Sequence, residues 1–101
     1  MKRKARVSVK WLLRDPAGRV PVWETYPRPV LFDGEEWADD EAFSLIIDLE
    51  GTPDSDGKQA GVAHFFAESA PQEKLSPGRK FAIYEGNFAT LEGVVEEVLS
   101  E

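Results

Sequence analysis

His64 is the only histidine in this 101-residue chain, and it is the natural first candidate for proton transfer. An imidazole acting as general base needs a nucleophile within reach and a group that orients it. The chain offers no G-x-S-x-G elbow and no cysteine. His64 sits between Ala63 and Phe65 in a β-like stretch and reads as a structural histidine. Without cysteine, and with a single histidine, a multi-histidine or cysteine-based metal site cannot be built within one chain. Asp54-Ser55-Asp56-Gly57 resembles part of a calcium loop. Setting Gly57 at the sixth position of such a loop puts Thr52 first and Ala63 last, where acidic ligands belong, so the match fails. Asp39, Asp40 and Glu41 cluster in sequence, but such a cluster is ordinarily a solvated acidic loop. Nineteen acids form many carboxylate pairs, so pairing alone does not point to glycoside chemistry. No P-loop and no G-x-G-x-x-G stretch occurs. The expectation is a protein that is not an enzyme and uses no metal or cofactor.

Three tryptophans are the other residues with binding chemistry, since an indole stacks on bases, sugars or apolar partners. Trp11 follows an apolar alternation and is expected in the core. Trp23 and Trp37 fall in loops and are the better candidates for an exposed contact.

The elements that position these residues have period two. Ala5, Val7, Val9, Trp11 and Leu13 alternate with Arg6, Ser8 and Lys10, the pattern of a half-buried strand. Asp15-Pro16-Ala17-Gly18 ends it with turn chemistry. Pro21, Pro27 and Pro29 mark an extended connection, because proline cannot donate to a ladder, and a short strand Val30-Leu31-Phe32 follows. Asp33-Gly34 breaks it, and Glu35 to Glu41 reads as an exposed loop. Phe43 to Leu49 and Gly61 to Ala67 are strands, separated by a Gly/Pro/Asp loop. Ser76-Pro77-Gly78 turns the chain into Phe81-Ala82-Ile83-Tyr84. Ala89 to Leu99 admits a helix through Glu96-Glu97, but Gly93 and the paired valines favour a strand. Six such strands predict one domain over residues 1–101, an all-β, closed six-stranded antiparallel barrel or a small sandwich. Closure removes two aggregation-prone edges.

Composition agrees with a folded chain: 42% hydrophobic, 31% charged, net charge −7. The charge is unevenly spread. Residues 1–19 carry seven basic residues against Asp15, whereas residues 33–57 carry ten acids and no base. An acidic chain repels phosphate backbones over most of its surface. The N-terminal Lys2-Arg3-Lys4 run is followed by alternation rather than an apolar h-region, and there is no run of about twenty apolar residues. The absence of cysteine favours a reducing compartment. The expected location is cytoplasmic.

Two stretches carry a family resemblance. The first is Gly18-Arg19-Val20-Pro21-Val22-Trp23-Glu24-Thr25-Tyr26-Pro27-Arg28-Pro29-Val30-Leu31-Phe32. The second is Gly78-Arg79-Lys80-Phe81-Ala82-Ile83-Tyr84-Glu85-Gly86, with Gly93-Val94-Val95 and Leu99 after it. Together they resemble the C-terminal β-barrel domain of translation elongation factor Tu. That family has a G-R-H-T-P turn, a Y-R-P-x-F-x-F strand entry and a G-x-R-F-A-I-R-E-G…G-x-G-V-V hairpin. The order is kept, and residues 33–75 match by strand pattern. The resemblance implies a six-stranded closed barrel that contacts a neighbouring barrel, an exchange factor and the T-stem side of tRNA. The family's GTPase domain has no counterpart in this sequence, so GTP hydrolysis is not implied. Gly18, Arg19 and Pro21 survive from the turn, but its histidine and threonine are lost around Val20. Asn87-Phe88-Ala89 replaces a Gly-Arg-Thr, Leu91 replaces a glycine, and Glu96-Glu97 stands where a basic residue often follows. Scaffold positions are retained and RNA-facing ones eroded.

The expected function is therefore a non-catalytic binding module, most simply a standalone barrel that binds an unidentified protein or a second copy of itself. The candidate contact residues are Arg19, Trp23, Arg28, Trp37, Asp39, Asp40 and Glu41. The alternative is tRNA binding through a basic edge of Arg3, Lys4, Arg6, Arg14 and Arg19. No membrane partner is expected.

Overall fold

The alternation of apolar residues is realised as six strands: β1 Lys4–Trp11, β2 Arg28–Phe32, β3 Ser44–Glu50, β4 Lys58–Phe65, β5 Lys80–Glu85 and β6 Phe88–Ser100. A computed structural model describes residues 2–13, 23, 25–35, 43–86 and 88–101. The strands form one closed barrel in the order β1-β4-β3-β2-β5-β6, and β6 pairs back onto β1. Every pairing is antiparallel. The last segment is a strand, as the valines and Gly93 suggested. No helix among the described residues is long and apolar enough to cross a membrane.

Period two sets the inside. In β1, Ala5, Val7, Val9 and Trp11 are buried, while Lys4, Ser8 and Lys10 are exposed. Across the barrel they meet Leu45 and Ile47, Ala63 and Phe65, Phe81 and Ile83, and Leu91 and Val95. Leu75 and Ala70 plug the end where β1 begins; a short 3-10 turn, Gln72–Lys74, carries the chain across it. Gly78 has φ +89°, a backbone that most residues avoid, and it lets the Ser76-Pro77-Gly78 turn enter β5.

Several strand boundaries differ from the sequence expectation. β1 stops at Trp11 because Leu12 and Leu13 leave the ladder, both donating their amides to the Thr90 carbonyl. β4 starts at Lys58, where Asp54 caps the loop by accepting from the Asp56 and Lys58 amides. β2 starts at Arg28 and runs through Pro29, rather than starting at Val30.

The pairing of β2 explains how the proline is tolerated. Val30 N–H donates to Phe43 O and Asp33 N–H donates to Lys80 O. Even-numbered amides of this strand therefore face β3 and odd-numbered ones face β5. The missing donor of Pro29 falls on the β5 side, and pairing with β5 begins one residue later, at Val30↔Ile83. Pairing with β3 covers the other half, Arg28↔Leu45 and Pro29↔Ser44.

Candidate functional site

β1 ends, β2 begins, β5 ends and β6 begins at one end of the barrel, which follows from Trp11↔Leu91, Val30↔Ile83 and Glu85↔Phe88. Arg28 is the centre of this end. It occupies an inward-facing position and is only 3% exposed. A guanidinium in such a place needs acceptors and flat partners for its faces. Trp23 lies 3.7 Å from its central carbon and Tyr26 lies 3.6 Å from it, measured to the ring centroids. The cation is held between two π-faces, a favourable arrangement when water is excluded. Its Nε–H donates to Glu85 Oε1 at 2.9 Å, and Nη1–H to the Tyr26 carbonyl at 3.4 Å. The Tyr26 hydroxyl reaches the same Glu85 oxygen at 3.3 Å.

Trp23 is half-buried rather than fully presented to solvent. Its Nε1–H donates to the Ile47 carbonyl of β3 at 2.9 Å, and its ring meets Trp11 edge-on at a centroid distance of 5.5 Å. Trp11 is a core residue, as expected, and its own indole N–H donates to Gln59. Trp23 and Arg28, both singled out from the sequence, are thus brought into contact. Arg19, Trp37, Asp39, Asp40 and Glu41 lie outside the described residues. Tyr26 and Glu85 were not singled out. Tyr26 stands two residues before Arg28, within local reach, whereas Glu85 is 57 residues away and offered no local signal.

Around this cluster runs an apolar rim. Leu12, Leu13 and Tyr26 are exposed, and Phe88 is 72% exposed. Leu12 and Leu13 are hydrogen-bonded to Thr90, Phe88 pairs with Glu85, and Glu85 accepts from Tyr26, so the four follow one another along the rim.

Of the basic edge, Arg14 lies outside the described residues, Lys4 is exposed, and Arg3 and Arg6 are engaged elsewhere. Arg3 donates to the Leu75 carbonyl and pairs with Glu101, while its backbone amide donates to Gln72. Arg6 lies between Glu50 at 3.4 Å and Glu97 at 3.6 Å. Glu35, counted with the acidic loop, is folded in: it accepts from the Phe32 amide at 2.8 Å and pairs with Lys74. Partial burial pushes its carboxyl up, but Lys74, the Phe32 amide and the Arg79 charge outweigh that and hold it below the usual carboxylate range. His64 faces out from β4 beside Ile46. Burial, then the charges of Lys2 and Lys4 against the opposing pull of Asp48, hold its imidazole below the usual range. Among the described residues no group of three His, Asp or Glu is arranged to hold a metal ion. A shallow outer groove of about 540 Å³, lined by Ser8, Lys10, Lys58, Lys80, Glu92 and Val94 among others, contains neither Glu35 nor His64. Comparison with protein-family models and with curated proteins finds no match to this chain.

Proposed function

We propose that this chain is a non-catalytic, protein-binding β-barrel that docks its partner on the rim formed by Leu12, Leu13, Tyr26 and Phe88. The observation carrying this reading is the rim itself. Large apolar side chains left in water on a small acidic barrel cost solubility, and grouped exposure of this kind is characteristic of interaction surfaces. Aromatic residues such as Phe88 and Tyr26 supply large contact area at low conformational cost. Beneath them the Arg28 cluster is already satisfied, so the rim has a firm base.

The likeness to the elongation factor Tu C-terminal barrel belongs to the same proposal. Its support is the pair of sequence stretches and the six-stranded closed barrel which that likeness implies. The tRNA alternative loses support because Arg3 and Arg6 are occupied by acceptors and acids.

The test is a photo-crosslinking amino acid at position 88, with position 66 at the opposite end as control. The expected result is one protein, or a second copy of this chain, captured from position 88 and not from position 66. Phe88→Ser should then weaken binding of that purified partner about tenfold, the effect of losing a central aromatic contact. Equal capture from both positions, or unchanged binding by Phe88→Ser, defeats the reading.

A further inference from the structure

We infer that the Trp23–Arg28–Glu85 cluster is a latch that closes the barrel at β2, and that releasing it opens the barrel there before anywhere else. This inference does not depend on what binds the rim.

The argument starts from the five residues of β2. The strand must join β3 to β5, yet only Val30 is held on both sides, by the Phe43 carbonyl and by its pairing with Ile83. Arg28 and Pro29 pair with β3, and Val30 to Phe32 pair with β5. The handover falls at Pro29. Extending the Val30↔Ile83 register by one step sets Pro29 opposite Tyr84, and Pro29 brings no N–H to that position. On the β3 side, β3 continues to Glu50 past its last β2 partner, Leu45.

Side chains span both gaps. Arg28 reaches across to β5 and bonds Glu85, next to the point where Pro29 has no donor. Trp23 bonds the Ile47 carbonyl, two residues beyond the end of the β2–β3 pairing. The two straps are one unit, because the Arg28 guanidinium stacks on the Trp23 ring. Elsewhere the ladders are long: β1 is paired along Ala5–Lys10 with β4 and along Lys4–Trp11 with β6. Local opening is easiest where few main-chain bonds must break, and here side chains supply what the ladder lacks.

Native-state amide hydrogen exchange on the full chain tests this, with Glu85→Gln and Trp23→Phe as variants. Glu85→Gln removes only the charge of a residue 46% exposed at its side chain. Trp23→Phe keeps a ring over Arg28 and removes the indole donor. In both, exchange at Val30 and Leu45 should quicken at least tenfold, while Ser8 and Lys10, whose amides face β6 in the register of Leu12, keep their wild-type rates. Pro29→Ala restores an amide at the handover and should recover most of the protection lost in Glu85→Gln. Acceleration of all four amides together would mean that the cluster only adds global stability, and would overturn the latch. So would unchanged exchange at Val30 and Leu45, or a Pro29→Ala background that gives no recovery.

Discussion

Gly93 of β6 lies directly across from Phe81 of β5, and the phenyl ring fills the space above the bare glycine: a β-carbon at 93 would sit 2.5 Å from Phe81 Cζ. The ring covers a strand glycine that would otherwise leave a gap in the wall. Gly93→Ala must push a core ring off its place and should cost about 1–3 kcal/mol, the usual range for overpacking. The double variant Gly93→Ala/Phe81→Leu should lose less than the sum of the single changes, since leucine vacates part of the disputed space. Urea unfolding of the four proteins measures this coupling; strict additivity would mean that the two residues do not compete for space.

The acid limb of stability should divide between two residues. His64 is held below its unfolded value, so the unfolded chain binds the proton more readily. Its contribution is intact above the unfolded histidine pKa of about 6.5 and is lost as pH falls below it. Glu35 is also held below its unfolded value. Its contribution is present above about pH 4.3 and is lost as pH falls towards the folded value. His64→Gln should therefore flatten the stability curve between about pH 7 and 5.5. Glu35→Gln should cost about 1–2 kcal/mol at pH 7, where the carboxylate bonds a charged and a backbone donor, and nothing once the wild-type carboxyl is protonated. Unfolding free energies across pH 3–8 test both. A Glu35→Gln deficit that persists unchanged at low pH would contradict the pairing with Lys74.

Transfer RNA should not be retained on a filter even at about 50 mM salt, where phosphate contacts are strongest. Arg3 and Arg6 are committed to protein acceptors, and the chain carries a net charge of −7. Retention at that salt, lost on charge reversal of Lys4 and Lys10, would restore the RNA reading.

Two aromatic residues of the same rim should differ sharply in their effect on stability. Phe88→Ser removes a side chain that is mostly in water and should change stability by no more than about 0.5 kcal/mol. Tyr26→Ala uncovers one face of a buried guanidinium and should cost about 1–2 kcal/mol. Thermal and urea unfolding separate the two. Equal losses would mean that Phe88 is part of the fold rather than of a docking surface.

Much of this barrel was written in its alternation. Ala5 to Trp11, Leu45 and Ile47, and Phe81 and Ile83 take their inward places because the side-chain period of a strand is two, and a slip by one residue would turn every one of them outward. The turns at Asp33-Gly34 and Ser76-Pro77-Gly78 were equally legible, since their backbone needs are local. What the alternation could not show was any relation between distant residues. Arg28 was a candidate contact residue beside two prolines; its burial comes from facing inward in a strand that continues through Pro29. Glu85 became its partner only because β5 ends where β2 begins. Glu35 looked like one more acid in an acidic loop until the β4–β5 connection carrying Lys74 folded across the barrel end. Side-chain period is a local property and is readable residue by residue. Strand order, the split pairing of β2 between β3 and β5, and the meeting of residues 57 positions apart are set by barrel closure, and closure is a property of the whole chain.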